Sequence, residues 1–321
     1  MTYKPKILEV AAGGTGDATL TNHGVLVGQG TSAVAVTAAG TALQVLQSGG
    51  ASADPVYSTA TYPATNTTGD LIYSSGTNTY SNLPISTIPG SNLEYNGTNA
   101  SWFDPRQETI FFDDFISPNA QSMHNWSATT SNAGAVAGQT GQNSGHPGVI
   151  QLSTGTNTNG GAATTTGSTI ILGGGAITVI WVINISAASD GTDTFSVLCG
   201  MSDAAGASLN PNNGVYFKYT STGTTPNWNI VCRGGSSEVS QDSGIAISTG
   251  TFTTLRIDIN AAATSVAFSI NGVTANNSPL SSHIPTLVIG LYNSILKSAG
   301  NTARTNQYDM VYMYQKLTSA R

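Results

Sequence analysis

The stretch TFTTLRIDINAAATSVAFSINGVT, residues 251–274, decides the fold of this chain. Each half alternates apolar and polar residues, and successive side chains of a strand point to opposite faces, so each half predicts a strand with one apolar face. Asn271-Gly272 is the dipeptide that a type I′ turn prefers, and residues 260–264 link the two halves. The pattern therefore predicts a hairpin that buries one face against another sheet. Its apolar positions are Leu255, Ile257, Ile259, Val266, Phe268 and Ile270.

Short apolar stretches separated by turn residues recur over the last two thirds of the chain, and no amphipathic helix pattern occurs among them. This texture predicts an antiparallel β-sandwich over residues 107–321, in an all-β protein. Residues 134–148, rich in Gly, Asn and Gln, are predicted to form a long loop. The predicted strands, besides the hairpin, are 110–115, 149–152, 170–172, 177–185, 195–199, 215–219, 227–232, 287–292 and 308–314.

The first third of the chain has a different, looser periodicity. Four units of a short apolar segment followed by Gly, Ser, Thr or Asn begin near Leu26, Leu46, Leu71 and Leu93. Spacings of this size are typical of stacked repeats. One such unit is too small to bury its apolar side alone, so it needs neighbours along the chain or from other chains. We therefore expect an extended β-repeat shaft here.

Both regions resemble parts of known families. The motif AGGTG at 12–16, together with residues 24–32 and 40–55, resembles repeats of bacteriophage tail and head fibres. The hairpin LRIDIN…VAFSING resembles paired strands of concanavalin-like, or laminin-G-like, jelly rolls, and FFDDF at 111–115 is similar to openings of such modules in phage adhesins. The resemblance implies an anchoring segment at 1–20, a shaft and neck at 21–106 and a tip domain at 107–321.

The same resemblance implies partners and a location. A phage fibre of this kind is expected to be a homotrimer, to contact other virion proteins through its N-terminus and to be displayed on the virion after synthesis in the host cytoplasm. Its tip domain is expected to bind host-surface polysaccharide. Two alternatives stay open: a capsid-decorating fibre with no receptor role, and a sandwich enzyme that degrades polysaccharide.

The composition excludes several other classes. Charged residues make up 8% of the chain and the net charge is −6, which argues against nucleic acid, because phosphate binding needs basic patches. No apolar run approaches the length of a membrane span. Residues 28–33 match G-x-G-x-x-A, but strand-forming residues rather than a helix follow, so a dinucleotide site is not expected.

Metal and cofactor sites are not expected either. The four histidines share no ligand spacing, although a calcium site from Asp113, Asp114 or Asp309 with loop carbonyls stays open. Cys199 and Cys232 lie in apolar patterns, which favours buried free thiols over a disulfide. We expect no cofactor.

Catalysis is disfavoured because the acids are sparse. A retaining glycosidase needs two carboxyl groups about 5 Å apart. Asp113 and Asp114 are adjacent and would point to opposite faces of a strand, whereas Glu238 and Asp242 lie in a Gly/Ser-rich stretch without strand character. We therefore expect a binding protein rather than an enzyme.

Glycan recognition combines aromatic faces with a few fixed polar groups. The residues expected to bind carbohydrate are Trp126, His146, Tyr216, Trp228 and Tyr292, although such large aromatics also commonly serve as core. The loops 133–148 and 210–214 are expected to add backbone and amide hydrogen bonds.

In the last strand, Tyr308, Met310, Tyr312 and Tyr314 are expected to share one face, with Val311 and Met313 on the other.

Overall fold

The computed structural model describes residues 7–95, 97–116, 126–143, 145–220 and 226–319. The chain divides into two compact units, Met1–Pro105 and Arg106–Arg321. No α-helix occurs in these described ranges; the helical turns there are short 3₁₀ segments at Val10–Ala12 and Pro105–Gln107. No helix in this part of the chain is long and apolar enough to cross a membrane.

The N-terminal unit is a series of four antiparallel hairpins. Its strands are β1 (Leu26–Val27), β2 (Ala35–Val36), β3 (Gln44–Gln47), β4 (Val56–Thr61), β5 (Leu71–Gly76), β6 (Thr79–Leu83), β7 (Asn92–Tyr95) and β8 (Ala100–Phe103). Each odd-numbered strand pairs with the strand that follows it. A parallel bridge between Thr61 and Thr79 joins the middle two hairpins into a four-stranded sheet. The four leucines that lead the sequence units each lie in the first strand of a hairpin.

The C-terminal unit is an antiparallel β-sandwich of two sheets. Its strands are β9 (Glu108–Asp113), β10 (Ser127–Ser131), β11 (Ala135–Asn143), β12 (His146–Ser153), β13 (Gly161–Thr165), β14 (Gly175–Ile185), β15 (Thr194–Ser202), β16 (Gly214–Thr220), β17 (Asn227–Gly234), β18 (Ser237–Ala246), β19 (Thr253–Ile259), β20 (Val266–Ile270), β21 (Val273–Thr274), β22 (Gly290–Ala299) and β23 (Thr305–Leu317). The seven-stranded sheet has the order β10-β13-β22-β15-β16-β17-β18. The eight-stranded sheet has the order β11-β12-β23-β14-β19-β20-β21, with β9 also pairing with β23.

The hairpin predicted at 251–274 is confirmed and lies in the eight-stranded sheet as β19 and β20. Leu255 pairs with Ile270 and Ile257 with Phe268, and all four side chains are buried. Asn271 and Gly272 have φ angles of 50° and 79°, the left-handed values that a type I′ turn requires. Apolar cross-strand pairs of this kind stabilise a sheet and fix its register.

One continuous hydrophobic core joins the inner faces of the two sheets. Phe217 of β16 meets Phe268 of β20 edge to face, with ring centroids 5.3 Å apart. Trp181 of β14 packs against Trp126 and Tyr308 in the same way. Such aromatic contacts contribute beyond the area they bury. The core therefore accounts for the two-layer arrangement.

The two cysteines point into this core. Cys199 of β15 and Cys232 of β17 are buried free thiols. Burial raises the pKa of Cys199 well above its usual value and raises that of Cys232 to about 12. A thiol is a poor nucleophile while it is protonated, so both groups act as small hydrophobic side chains.

Several predicted loops and strands are wrong in detail. Residues 135–143 form β11 and pair with β12, so their backbone groups serve the sheet ladder rather than an open loop. Residues 170–172 contribute a single bridge, from Ile170 to Ile289, instead of a strand. The strand expected at 287–292 begins at Gly290 and runs to Ala299. Glu238 and Asp242, expected to lie in a Gly/Ser-rich stretch without strand character, belong to the edge strand β18.

A β-bulge at Asp309 divides the faces of β23. Met310 pairs with Val182 and Tyr308 with Ile183, which leaves Asp309 as an extra residue. The expected single face is therefore wrong for Tyr308, which is buried in the core, whereas Met310 faces outward and is half-buried. A bulge exchanges the faces of a strand because side-chain direction alternates with every residue.

Candidate functional site

Four of the five residues expected to bind carbohydrate are buried. Trp126 and Trp228 belong to the main core, where their exposed fractions are 9% and 1%, and Tyr216 and Tyr292 are fully buried. The ring faces of all four contact other side chains, so none of them presents a platform to a sugar. Core packing, the competing interpretation of large aromatics, describes all four.

Tyr216 and Tyr292 nevertheless lie close together on the outer face of the seven-stranded sheet. They form a small second cluster whose other members are Ala163, Leu198 and Val231. Ala204, Ala207 and Leu209, from the segment between β15 and β16, cover this cluster. The Tyr292 hydroxyl accepts the backbone N–H of Ser208 at 3.0 Å and donates to the carbonyl of Gly206 at 2.7 Å. These two hydrogen bonds hold the segment between β15 and β16 against the sheet.

Beside the covered area lies a polar group that we call the Glu238 cluster: Tyr216, Lys218, Arg233 and Glu238. Register places Tyr216 opposite Val231, and Val231 opposite Ser240. Residues directly opposite on neighbouring strands share a face. The same outer face carries the residues two positions away along each strand. They are Lys218 on β16, Arg233 on β17 and Glu238 on β18.

The Glu238 carboxylate has one satisfied oxygen and one open oxygen. Oε2 accepts Nη1 of Arg233 at 3.0 Å and the Tyr216 hydroxyl at 3.3 Å. Oε1 lies 3.8 Å from Nζ of Lys218, beyond hydrogen-bond distance. Among the described residues, Oε1 of Glu238 and Nζ of Lys218 thus place an acceptor and a donor side by side without a direct hydrogen bond between them. Nε of Arg233 is buried and has no partner among those residues.

Partial burial makes this cluster more polarising than an ordinary surface ion pair. The exposed fractions of the Lys218, Arg233 and Glu238 side chains are 14%, 15% and 22%. Charged groups that are shielded from water interact more strongly with each other and with a ligand. Burial raises the pKa of the Tyr216 phenol far above its usual value, and the negative charge of Glu238 is the second cause of this rise. Tyr216 therefore remains a hydrogen-bond donor.

Next to this cluster, Asn213 links two segments of the chain by hydrogen bonds. Its backbone N–H and its side-chain Nδ2 donate to Asp203 at 3.0 and 2.9 Å, while its Oδ1 accepts the N–H of Gly235 at 3.0 Å. These bonds tie the segment before β16 to the β17–β18 turn. The predicted role of residues 210–214 in supplying free hydrogen-bonding groups is therefore not met by Asn213. A shallow cavity of about 330 Å³ lies along residues 203–212 of the same segment.

His146, the fifth expected residue, lies elsewhere in the sandwich. Its ring stacks on Phe252 with centroids 4.0 Å apart, and its Nδ1 lies 2.7 Å from Oδ2 of Asp309 at the bulge of β23. Burial, with smaller contributions from Asp309 and Asp113, raises the pKa of the nearby Asp114 carboxyl. Oδ1 of Asp309 is buried and has no partner among the described residues. We call these residues, His146, Asp114 and Asp309, the Asp309 cluster.

Within the described ranges, no group of three or more His, Cys, Asp or Glu side chains is arranged to hold a metal ion. A calcium site that combines Asp113, Asp114 or Asp309 with loop carbonyls stays a prediction.

The pair of acids Glu238 and Asp242 is the sequence signal for the Glu238 cluster. The Gly/Ser-rich pattern around these acids does not predict a strand. In β18, Glu238 faces Arg233 and Asp242 faces Asn229 of β17. Pairing partners depend on register between strands, which the local pattern around a polar edge strand does not specify.

Comparison with known families identifies the sandwich. Residues 145–310, more than half of the chain, match the model of the SO2946-like C-terminal domain. This chain belongs to the SO2946-like family. The SO2946-like domain covers most of the two sheets and includes all members of the Glu238 cluster. No curated protein sequence matches the chain.

A solved structure supports the same fold for the SO2946-like domain. The protein of unknown function SO2946 from Shewanella oneidensis MR-1 is 14% identical, with a TM-score of 0.51, over 67% of this chain and 89% of that one. Two weaker similarities have TM-scores of 0.47 and identities of 13%. They are the carbohydrate recognition domain of Emp47p, over 67% of this chain and 97% of that one, and an endo-1,3-beta-glucanase from Streptomyces sioyaensis, over 67% and 99%. At these values the similarities concern the fold alone.

Proposed function

We propose that the sandwich binds a glycan at the Glu238 cluster and does not cleave it. The observation that carries the proposal is the open pair formed by Oε1 of Glu238 and Nζ of Lys218, 3.8 Å apart. One sugar hydroxyl can donate to the oxygen and accept from the ammonium group at the same time. Arg233 and Tyr216 already hold Oε2 of Glu238, so the carboxylate loses little conformational freedom when the ligand binds.

The charge of the site favours a neutral sugar. Lys218 and Arg233 contribute two positive charges, and Glu238 and the neighbouring Asp242 contribute two negative charges. Asp242 is itself bonded to the side-chain amide of Asn227 at 3.0 and 3.2 Å. A balanced site of this kind discriminates by the geometry of donors and acceptors rather than by attraction to a charged ligand.

A single site of this kind is expected to be weak. Sugar hydroxyls exchange good contacts with water for similar contacts with protein, and no exposed aromatic ring belongs to the Glu238 cluster. We expect a dissociation constant near the millimolar range, about −4 kcal/mol. Several linked copies would raise the avidity roughly 10²- to 10⁴-fold.

Binding is tested with the full chain and a panel of soluble bacterial polysaccharides. The variant Glu238→Gln removes the charge and leaves the shape, and a charge-assisted hydrogen bond contributes about 1.5–3 kcal/mol. We expect binding to fall roughly tenfold or more. The matched control is Asp258→Asn, because Arg256 and Asp258 form an exposed ion pair on β19 of the other sheet, with Nε and Oδ2 2.7 Å apart. Equal binding by both variants would overturn the proposal.

One observation favours the competing enzyme function. In the Asp309 cluster a carboxyl with a raised pKa, Asp114, lies near the pair of His146 and Asp309. A carboxyl group with a raised pKa beside a second carboxyl group and an imidazole is an arrangement used in general acid–base catalysis. The test is release of reducing ends, or of unsaturated sugar products, from each polysaccharide that binds. We expect none; release that Asp309→Asn abolishes would establish the enzyme and remove the non-cleaving function.

We also propose that the protein is displayed on a phage particle, with the sandwich reaching host polysaccharide and the N-terminal unit contacting other virion proteins. This proposal rests on the resemblance of residues 12–16, 24–32 and 40–55 to fibre repeats. Its test is immunogold labelling of intact particles, and then adsorption to host cells after deletion of residues 107–321. Unchanged adsorption by intact particles would leave a decorating role.

A further inference from the structure

The two sheets of the sandwich do not end together. The hydroxyl of Tyr308 on β23 bonds that of Thr164 on β13 of the facing sheet, with the oxygens 2.7 Å apart. β13 ends one residue later, at Thr165, and its neighbour β22 begins at Gly290. In contrast, β23 continues to Leu317 and pairs there with β9. β9 and β23 therefore extend beyond the two strands of the facing sheet.

A cavity of about 630 Å³ lies at this end of the sandwich. Register places Phe111 of β9 opposite Met313 of β23, and Thr109 opposite Gln315. These four residues line the cavity on the side of the eight-stranded sheet, and Leu291 of β22 lines it on the side of the other sheet. Phe111, Met313 and Leu291 also pack in the main core. The cavity is thus an opening between the two sheets.

The segment between β13 and β14 closes another side of the cavity. Its residues Thr166 and Ile170 belong to the lining. Oγ1 of Thr166 accepts the backbone N–H of Leu291 at 3.0 Å. The backbones of Ile170 and Ile289 exchange two hydrogen bonds of 2.9 Å. These bonds hold the segment against the start of β22, so the fold itself forms the cavity.

Gln315 brings an unsatisfied polar group to this cavity. It lies two positions from Met313, so both side chains share the inner face of β23. Its exposed fraction is 8%, and its side chain makes no hydrogen bond with any of the described residues. A buried amide without a partner costs free energy, because it has given up its bonds to water. A molecule held in the cavity can supply the missing partner.

The lining restricts the chemistry of such a molecule. The described residues that line the cavity include no Asp, Glu, Lys, Arg or His. A charged group would therefore lose its water without gaining an opposite charge. Sites for small molecules have volumes of about 300–1,000 Å³, with mainly apolar walls and a few polar groups. Ile110 and Ile171, which are 61% and 59% exposed, lie at the opening through which a molecule would enter.

We propose that this cavity binds a small neutral molecule with a mainly apolar body and one hydroxyl, amide or carbonyl group. The body displaces water from Phe111, Leu291 and Met313, which is favourable for apolar surfaces. The polar group forms the hydrogen bond that Gln315 otherwise leaves unmade. The cavity lies apart from the Glu238 cluster, and the proposal does not depend on glycan binding.

The first test uses the full natural chain and the neutral dye Nile red, whose fluorescence rises in apolar surroundings. We expect saturable binding. Decanol is expected to displace the dye, whereas decanoate, which has the same chain length and a negative charge, should do so about tenfold less effectively. If only water fills the cavity, the dye will show no saturable binding. That result, or equal displacement by decanol and decanoate, overturns the proposal.

Variants then locate the binding. Leu317→Trp places a larger side chain in the cavity at the end of β23 and is expected to abolish the saturable dye binding. Val273→Trp on β21, where the natural side chain is 60% exposed and does not line the cavity, is the control and should bind like the natural chain. Gln315→Leu keeps the volume and removes the amide, so decanol affinity should fall roughly two- to tenfold.

Circular dichroism melts establish whether each variant is folded. Unchanged dye binding by folded Leu317→Trp overturns the proposed site. If Leu317→Trp does not fold, Gln315→Leu decides, because equal decanol affinities of this variant and the natural chain also overturn the proposal.

Discussion

The hydroxyl of Tyr216 on β16 reaches across β17 and donates to the carboxylate of Glu238 on β18, at 3.3 Å. Its ring lies over Gly214, where a Cβ atom would approach it within 2.7 Å. The phenol therefore orients the carboxylate from beneath without being open to solvent. Tyr216 is a positioning residue for the proposed glycan site rather than a ligand contact.

Removal of this hydroxyl is predicted to weaken glycan binding. In Tyr216→Phe the ring stays and one hydrogen bond to Glu238 is lost, which costs about 0.5–1.5 kcal/mol of unfolding free energy. Titration of the variant with a polysaccharide that binds the natural chain should give a several-fold weaker affinity. Tyr292→Phe is the control, because its hydroxyl bonds the backbone of the covering segment and does not touch Glu238. Equal affinities for both variants would contradict the orienting role.

Phe268 is predicted to be a major contributor to stability. It is 1% exposed and meets Phe217 of the opposite sheet edge to face. Replacement by alanine leaves a cavity between the sheets and should lower the unfolding free energy by about 3–5 kcal/mol. Denaturant melts measure this change. Val273→Ala on the exposed β21 should change stability by less than about 0.5 kcal/mol, and a loss at Phe268 as small as that would place its ring outside the core.

Gly148 is predicted to tolerate no side chain. A Cβ atom there would lie 2.2 Å from the carbonyl oxygen of Asp114 and 2.4 Å from the backbone carbon of Phe115. The chain must shift where the end of β9 passes over β12, so Gly148→Ala should cost at least about 1–3 kcal/mol. Gly174→Ala, with no atom within 4 Å of the added Cβ, is the matched control. Similar melting temperatures for the two variants would disprove the close approach.

Stability is predicted to fall with acidity partly through Asp193. Its carboxylate accepts the backbone N–H of Thr302 at 2.8 Å, which holds its pKa below the usual range. A depressed folded-state pKa stabilises the fold above the unfolded value of about 3.9, and this contribution disappears as the pH falls through the folded-state value. Unfolding free energies measured from about pH 5 down to about pH 2 should change less in Asp193→Asn than in the natural chain. If the unfolding free energies of Asp193→Asn and of the natural chain change equally with pH, Asp193 does not contribute to the loss of stability in acid.

Both thiols are predicted to be unreactive in the folded protein. Cys199 and Cys232 are completely buried, and burial raises the pKa of each. A colorimetric thiol reagent should therefore label neither residue until denaturant unfolds the sandwich, and should then label two per chain. Rapid labelling of the native chain would mean that the sheets open readily.

The sequence predicted those parts of the fold in which one face of a strand is buried and the other is exposed to solvent. The β19–β20 hairpin is such a case, because the alternation of both strands agrees with the Asn271-Gly272 turn that ends β20 and leads into β21. β18 was missed because it is an edge strand with polar residues on both faces, which leaves no alternation to detect. β11 was missed because Gly and Gln have low strand propensity, and its pairing with β12 determines its structure instead.

The candidate site was harder to predict than the fold. Aromatic content led to Tyr216 as a sugar platform, but its ring is covered and its hydroxyl donates to Glu238. Lys218, Arg233 and Glu238 come from three strands, and only the register of those strands brings them together. The bulge at Asp309 is likewise invisible locally, because one extra residue changes which side chains face the core without altering the apolar composition of β23.

The position of β23 bears on the order of events during synthesis. This strand lies inside the eight-stranded sheet and pairs with β14 along one edge and with β12 and β9 along the other. A ribosome produces all three partners before it reaches Thr305. Until then β14, β19 and β20 have no bonded connection to β12 and β9, and the nascent sheet exists as separate pieces with open edges. Such edges invite pairing with other chains, so the growing polypeptide is most vulnerable to aggregation just before its final strand emerges.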